Sequence, residues 1–383
     1  MRIGIVAAEP SGDQLAAGLM RALTSQQPDI RFEGIGGPQM TAQGLQGWFP
    51  MERLSVMGLV EVLGRLPELL QIRKTLAQRW RQQPPDLFIG VDAPDFNLKL
   101  EQVLKAAAVP TVHYVSPTVW AWRQKRVRKI RAAADLVLSI FPFEQEFLHS
   151  HGISCTYVGH PLAQEYPQIP DRQTARAQLG LTQDASVLAV LPGSRSGEVQ
   201  RLARPFLQTA VACDRQIQHF KVVTPLATEQ TSRVYSQACE QYAPELDVML
   251  TRDNTAQVLT AADVVLVASG TATFEALLCK RPMVVGYKVN PLTYRIIQDL
   301  NMLKTEHVAM ANLLSEEPMA PEFIQHACEA EQLLPAVLEF FEDKALVAQI
   351  TQQYARTHAA LVKDTNQLAA QAVMDLWRAR KGG

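Results

Sequence analysis

The sequence predicts a parallel α/β chain arranged as two Rossmann-like domains facing across a cleft. Short apolar runs of strand length alternate with helical patterns along the chain, as parallel sheets with crossover helices require. The alternation restarts after a proline-rich stretch near the middle, and the two halves are of similar size. Glycine-bearing turns follow strands directly, the place where open α/β sheets meet their ligands.

In the first half the strand pattern falls on Arg2–Ala7, Arg31–Gly36, Asp86–Val91, Thr111–Val115, Leu136–Ile140 and Thr156–Val158. Helical spacing fills Asp13–Leu23, Leu66–Gln82, Phe96–Ala107 and Pro142–Ser150. Gly159-His160-Pro161 and the following EYPQIPDRQ read as a linker. The second half predicts strands at Ser186–Leu191, Phe220–Pro225, Asp247–Leu250, Asp263–Ala268 and Pro282–Gly286. Its helices are expected at Val199–Gln216, Thr228–Tyr242 and Ala272–Lys280. The expected domains are 1–165 and 166–339, with a closing helical segment, about 340–383, returning to the first.

The chain has 383 residues, a hydrophobic fraction of 47% and a formal net charge of -1. That charge excludes the domain-wide basic excess of a nucleic-acid binder. Five cysteines without CxxC spacing argue against disulfide scaffolds and zinc sites and for a reducing compartment. The opening MRIGIVAAEPSGD reads as a first strand rather than a signal peptide, and no apolar run approaches the roughly 18 residues of a membrane span.

Pro192-Gly193-Ser194-Arg195-Ser196-Gly197-Glu198 joins a strand to a helix. Glycines let backbone N–H groups approach an anion, the helix N-terminus adds partial positive charge and Arg195 a full one. Ser269-Gly270-Thr271-Ala272 repeats the arrangement, with Glu275 one turn in, suited to a ribose hydroxyl pair or to the helix dipole. Neither loop is a Walker motif, and no GxGxxG follows the first strand. A nucleotide-sugar held by its diphosphate fits best. In Glu9-Pro10-Ser11-Gly12-Asp13, Ser11 or Asp13 fits a helix cap as well as a substrate contact. Gly36-Gly37-Pro38 reads as a close-approach turn.

Two carboxylates, Asp92 and Asp95, leave the strand ending at Val91. A hydroxyl attacking an anomeric carbon needs such a base within hydrogen-bond reach. Asp95 is the preferred base, and Asp92 fits a buried carboxylate that fixes the turn. The DxxD spacing, without a nearby histidine or third acid, speaks against a metal, and no cofactor is called for. Downstream stand Trp120 and Trp122, then Arg123, Lys125, Arg126, Arg128, Lys129 and Arg131, with no acid from Trp120 to Ala134. His113 and His160 suit structural roles better than substrate contact.

Leu54–Leu70 is unusually apolar, with Val56, Met57, Leu59, Val60, Leu63, Leu66 and Leu69 broken by Gly58, Gly64 and Pro67. Core packing and a lipid-facing patch fit equally, with Arg65, Arg73, Lys74, Arg79 and Arg81 close by. The glycines and proline make a poor long helix.

Together EPSGD (9–13), GIGGPQM (34–40), VMGLVEVLGRLPELL (56–70), GVDAPDFNLKL (90–100), HYVSPTVWAWRQKRV (113–127), FPFE (141–144), LPGSRSGEV (191–199), ASGTATFE (268–275), MVVGYKV (283–289) and Asn312 resemble the lipid-A-disaccharide synthase family, over essentially the whole chain. The resemblance implies a GT-B fold and an inverting glycosyltransferase of lipid A biosynthesis. Its substrates would be UDP-2,3-diacylglucosamine and 2,3-diacylglucosamine 1-phosphate (lipid X), its products a β-1,6-linked disaccharide 1-phosphate and UDP. Asp95 matches the family's essential aspartate. Gly193, Ser194, Arg195, Gly270, Thr271, Glu275 and Asn312 match UDP-side positions. Charge alone assigns Arg123, Lys125 and Arg126 to the acceptor phosphate or to lipid, with Ser11 a weaker acceptor-side candidate. Acylated substrates give the 56–69 patch a reason to dock at a membrane, so a peripheral place on the cytoplasmic side of the bacterial inner membrane is expected. Nucleic acid is not expected, and there is room for a homodimer. UDP-N-acetylglucosamine 2-epimerases and the peptidoglycan glycosyltransferase share the UDP-binding half but lack the DAPDFN and WAWRQKR blocks.

Overall fold

The computed structural model describes residues 1–54, 59–117, 126–252, 254–290 and 307–381, with backbone alone for 59–63. The chain forms two compact units, Met1–Gln164 with Val362–Gly383, and Glu165–Leu361.

In the first unit, β1 (Arg2–Ala7), β2 (Arg31–Gly36), β3 (Leu45–Pro50), β4 (Leu87–Val91), β5 (Thr111–Tyr114), β6 (Leu136–Ser139) and β7 (Cys155–Tyr157) pair in parallel in the order β3-β2-β1-β4-β5-β6-β7. The intervening helices are α1 (Pro10–Gln26), α2 (Pro38–Ala42), α3 (Leu59–Gln82), α4 (Pro94–Ala106), α5 (Val127–Ala133) and α6 (Pro142–Ser150). A parallel sheet covered on both faces needs strands apolar on both sides. Accordingly Ile3, Ile5 and Ala7 enter one core cluster, with α1 and the helix Thr365–Lys381, and Val6 enters the other. That second cluster takes Ile72, Leu76 and Trp80 from α3 and Leu100 and Leu104 from α4. Trp80 is fully buried and donates its Nε1–H to Glu33 Oε1 at 2.9 Å, which satisfies its one polar atom.

Strand β3 lies outside the sequence expectations. Its LQGWFP carries a glycine and a proline, most of its residues are exposed or half-buried, and it is placed by pairing with β2 at the sheet edge. Helix α3 corrects another expectation: a 24-residue helix runs through Pro67. The buried Ile72, Leu76 and Trp80 anchor its second half, and packing rather than propensity sustains it.

Asp13 caps a helix, but not its own. Glu9 is the N-cap of α1, whereas the buried Asp13 carboxylate accepts hydrogen bonds from the backbone N–H groups of Gly37 (2.8 Å), Gln39 (3.0 Å) and Met40 (3.0 Å). It thereby takes up unpaired donors at the start of α2, 24 to 27 residues on in the chain. A Cβ at Gly37 would stand 2.5 Å from Asp13 Oδ2, so the glycine makes room for the acid.

In the second unit, β8 (Ser186–Leu191), β9 (Phe220–Leu226), β10 (Val248–Arg252), β11 (Val264–Ala268), β12 (Met283–Tyr287) and β13 (Glu322–Ile324) pair in parallel in the order β10-β9-β8-β11-β12-β13. Helices α7 (Pro161–Glu165) and α8 (Arg172–Gln178) stand at the junction and entry, followed by α9 (Ser196–Asp214), α10 (Glu229–Tyr242), α11 (Thr255–Ala261) and α12 (Thr271–Leu278). The fully buried Arg176 donates to Asp263 Oδ2 at 2.7 Å and to the carbonyls of Ala261 and Gln183, tying α8 to the strand core. Strand β13 has three half-buried residues and no alternation that a sequence reading could use.

The return to the first unit comes later than the expected 340. The helix Lys344–Leu361 belongs to the second unit, and the return begins at Val362. Buried Lys280 explains why: its Nζ reaches Leu278 O (2.6 Å), Pro167 O (3.0 Å) and His358 Nδ1 (2.6 Å). A desolvated ammonium held by these acceptors fastens that helix to α12. Burial draws the Lys280 amine down to about 8.

Candidate functional site

In an open α/β sheet the ligand crevice opens where strand order reverses, beyond the strand C-termini. In the second unit that point lies at β8 and β11, and both glycine loops leave the sheet there. A cavity of about 200 Å³ sits at this place. Gly193, Ser194, Glu198, Gly270, Thr271 and Glu275 are among its lining residues.

Gly193 has φ +120°, and a Cβ there would stand 2.7 Å from Glu198 Cβ. Gly270 has φ +150°, and a Cβ there would meet nothing within 4 Å. The first glycine is therefore required twice, by backbone conformation and by packing, and the second by conformation, with the approach to its backbone left open. Helices α9 and α12 begin immediately after these glycine turns, so two sets of helix N-terminal donors border one cavity. Arg195, the N-cap residue of α9, is 76% exposed and pairs with Glu198 at 3.6 Å. An exposed pair of this kind is worth about 0–1 kcal/mol, so the guanidinium is free to turn to an anionic ligand.

Glu275 lines the cavity from α12, half-buried. Tyr166 donates its hydroxyl hydrogen to Glu275 Oε1 at 2.8 Å. Burial pushes the Glu275 carboxyl up from its ordinary value, and the Tyr166 hydrogen bond draws it back. The motif reading did not find Tyr166, which lies 109 residues away in the chain inside the apparent linker.

Asn312 is not a cavity-lining residue. Its buried amide donates to Ala320 O (2.8 Å) and Glu322 Oε1 (2.7 Å), and its Oδ1 accepts from Ala320 N (2.9 Å). Glu322 also accepts from the N–H groups of Val308 and Ala309, while Ser269 donates to Val308 O and Thr273 accepts from Met310 N. Asn312 thus braces a segment that is itself fastened to the second glycine loop.

In the first unit strand order reverses at β1 and β4, and the helices that follow them, α1 and α4, carry Ser11 and Asp95 in their first turns. Asp92 and Ala93 take left-handed backbone with φ of 50° and 45°. Two such non-glycine residues cost about 1–2 kcal/mol each unless their surroundings hold them. Asn97 does so: its amide Nδ2 donates to Asp92 O (2.8 Å) and Val91 O (3.2 Å). The turn-fixing role expected of the Asp92 carboxylate therefore belongs to a side chain on α4. One turn on, the buried Glu101 meets His113 Nδ1 at 2.7 Å, giving His113 the structural place expected of it.

The turn projects Asp95 outward at 85% exposure, and Arg126 Nη2 bridges both its carboxylate oxygens at 2.9 and 3.3 Å. Arg126 is thus occupied by the candidate base. Arg128, Lys129 and Arg131 are exposed on α5. Trp120, Trp122, Arg123 and Lys125 lie outside the described residues, as do Val56 and Met57, and so do the side chains of Leu59, Val60 and Leu63. Leu66 and Leu70, four apart on α3, are exposed at 41% and 45%, whereas Leu69 packs against the core. The nearby basic residues are partly engaged: Arg65 and Arg53 flank Glu68, and Arg79 lies 3.8 Å over the Trp48 ring. Among the described residues no group of three His, Cys, Asp or Glu side chains is placed to hold a metal ion, and no helix is long and apolar enough to cross a membrane.

The family model for lipid-A-disaccharide synthetase matches residues 3–375. The chain belongs to the lipid-A-disaccharide synthase family. The family member of Aliivibrio fischeri strain MJ11 is 46% identical over 376 residues, covering 98% of this chain and 97% of its own. That of Xanthomonas campestris pv. campestris strain 8004 is 46% identical over 383 residues, covering 100% of this chain and 87% of its own. Among solved structures, the UDP-GlcNAc 2-epimerase of Neisseria meningitidis, bound to UDP-GlcNAc, aligns with a TM-score of 0.61 at 11% identity, over 98% of this chain and 99% of that one. The glycotransferase of kitacinnamycin aligns at 0.59 with 15% identity, over 98% of each chain. These likenesses establish the GT-B fold, and the family membership makes the chain a glycosyltransferase of lipid A biosynthesis.

Proposed function

We propose that the chain transfers 2,3-diacylglucosamine from UDP-2,3-diacylglucosamine to the 6-hydroxyl of 2,3-diacylglucosamine 1-phosphate, giving the β-1,6-linked disaccharide 1-phosphate and UDP. The observation that carries this reading is the second-unit cavity, where two glycine-hinged helix N-termini, an exposed arginine and a carboxylate border one space. Such a set suits a nucleoside diphosphate: N–H groups and Arg195 for the phosphates, Glu275 for the ribose. Asp95 serves as base. The acceptor 6-oxygen forms its bond to the anomeric carbon as the bond to the UDP oxygen breaks. The hydroxyl proton passes to the Asp95 carboxylate, and the leaving diphosphate keeps the electron pair. Charge developing on that leaving oxygen is met by Arg195 and the loop N–H groups. A single displacement inverts the anomeric centre and needs no second nucleophile. The purified protein, given both substrates, should release one UDP per disaccharide 1-phosphate formed. UDP release independent of the acceptor would sink the reading.

Acylated substrates call for a lipid surface, and Leu66 and Leu70 offer apolar side chains to it on one helix face. We place the protein peripherally on the cytoplasmic face of the bacterial inner membrane. Leu66→Ser with Leu70→Ser is expected to lower binding to anionic phospholipid vesicles about tenfold, as loss of two partly exposed leucines implies, at an unchanged melting temperature. Unchanged vesicle binding together with a lower melting temperature would return both residues to the core.

A further inference from the structure

We propose that Tyr166 is a positioning residue for the nucleotide, its hydroxyl fixing the Glu275 carboxylate as acceptor for the ribose hydroxyls. This rests on the assignment of the cavity to UDP. Glu275 lines that cavity from the first turns of α12, and without a partner its carboxylate could rotate about its terminal bond. The Tyr166 hydroxyl holds Oε1 at 2.8 Å and so sets the plane of the group. Each carboxylate oxygen accepts two hydrogen bonds, so Oε2 and the second lone pair of Oε1 remain for a ligand. A charged acceptor gains more from such a donor than a neutral one, and one already oriented binds without a further ordering cost. The bond also has a second effect. It favours the ionised form of a carboxyl whose burial favours the protonated one, and a protonated acid would lose part of its accepting capacity.

The tyrosine comes from the segment that joins α7 to α8, far in sequence from both glycine loops. Phenylalanine there keeps the ring and removes the hydroxyl, which separates positioning from packing. The test is calorimetric titration of the full chain and its variants with UDP and with 2′-deoxy-UDP. The parent should prefer UDP. Tyr166→Phe should weaken UDP about five- to tenfold, the net worth of one typical hydrogen bond, and 2′-deoxy-UDP less than about twofold. Glu275→Gln should remove the preference, and adding Tyr166→Phe to it should change nothing further. If Tyr166→Phe weakens both ligands equally, or neither, while Glu275→Gln removes the preference, Tyr166 is packing only and the proposal fails. If the parent shows no preference, or Glu275→Gln retains it, the ribose assignment itself falls and the proposal with it.

Discussion

Asp95→Asn should cut turnover about a hundred- to ten-thousandfold, the range expected when a positioned base is removed. Asparagine matches the aspartate in shape and still accepts a hydrogen bond, but it cannot take the proton of the acceptor hydroxyl. Stability should hardly change. Asp95 is 85% exposed, and its pairing with Arg126 is a surface contact worth about 0–1 kcal/mol. Measured as UDP release with both substrates at saturation, near-parental turnover in Asp95→Asn would rule the residue out as base.

Arg195→Ala should lower kcat/KM about a hundred- to a thousandfold, as loss of a charged donor to a developing anion does. The guanidinium is 76% exposed and its contact with Glu198 is 3.6 Å, so it contributes little to the fold. Its removal also leaves Glu198 without that partner at the cavity. Arg195→Lys should recover part of the loss, since it restores charge without the planar fork. Steady-state kinetics against the donor substrate decides this: a change in KM alone, with kcat intact, would mean that Arg195 binds the ground state and does not stabilise departure of UDP.

Much of this protein is legible locally. Strands β1 and β8 fall where their apolar runs predict, because a strand buried on both faces needs a continuous run that no loop would carry. The glycine turns are legible for a related reason: Gly193 and Gly270 adopt backbone conformations that other residues resist. Asp95 was legible as an acid in the turn after an apolar strand. The misses have a common form. Glycine and proline in Leu54–Leu70 weighed against a long helix, yet core contacts further along α3 outweighed their cost. Ser11 or Asp13 fitted a cap of α1 as well as a substrate contact, while the hydrogen bonds of Asp13 go to Gly37, Gln39 and Met40 at the start of α2.

By itself the sequence determined the class of fold, the two strand-to-helix loops that hold the diphosphate in the proposed reaction, and the acid proposed as base. Each depends on residue type and spacing within one turn or one strand, and those are local quantities. Only the tertiary structure decided that Tyr166 holds Glu275, that Asn97 holds the left-handed turn before Asp95, and that Lys280 and His358 keep the helix Lys344–Leu361 with the second unit. Two of these three pairings cross tens of residues, and all three join side chains to partners that no periodic pattern marks. Their geometry exists only once the sheets have set strand order and brought the chain's distant turns to the same edge.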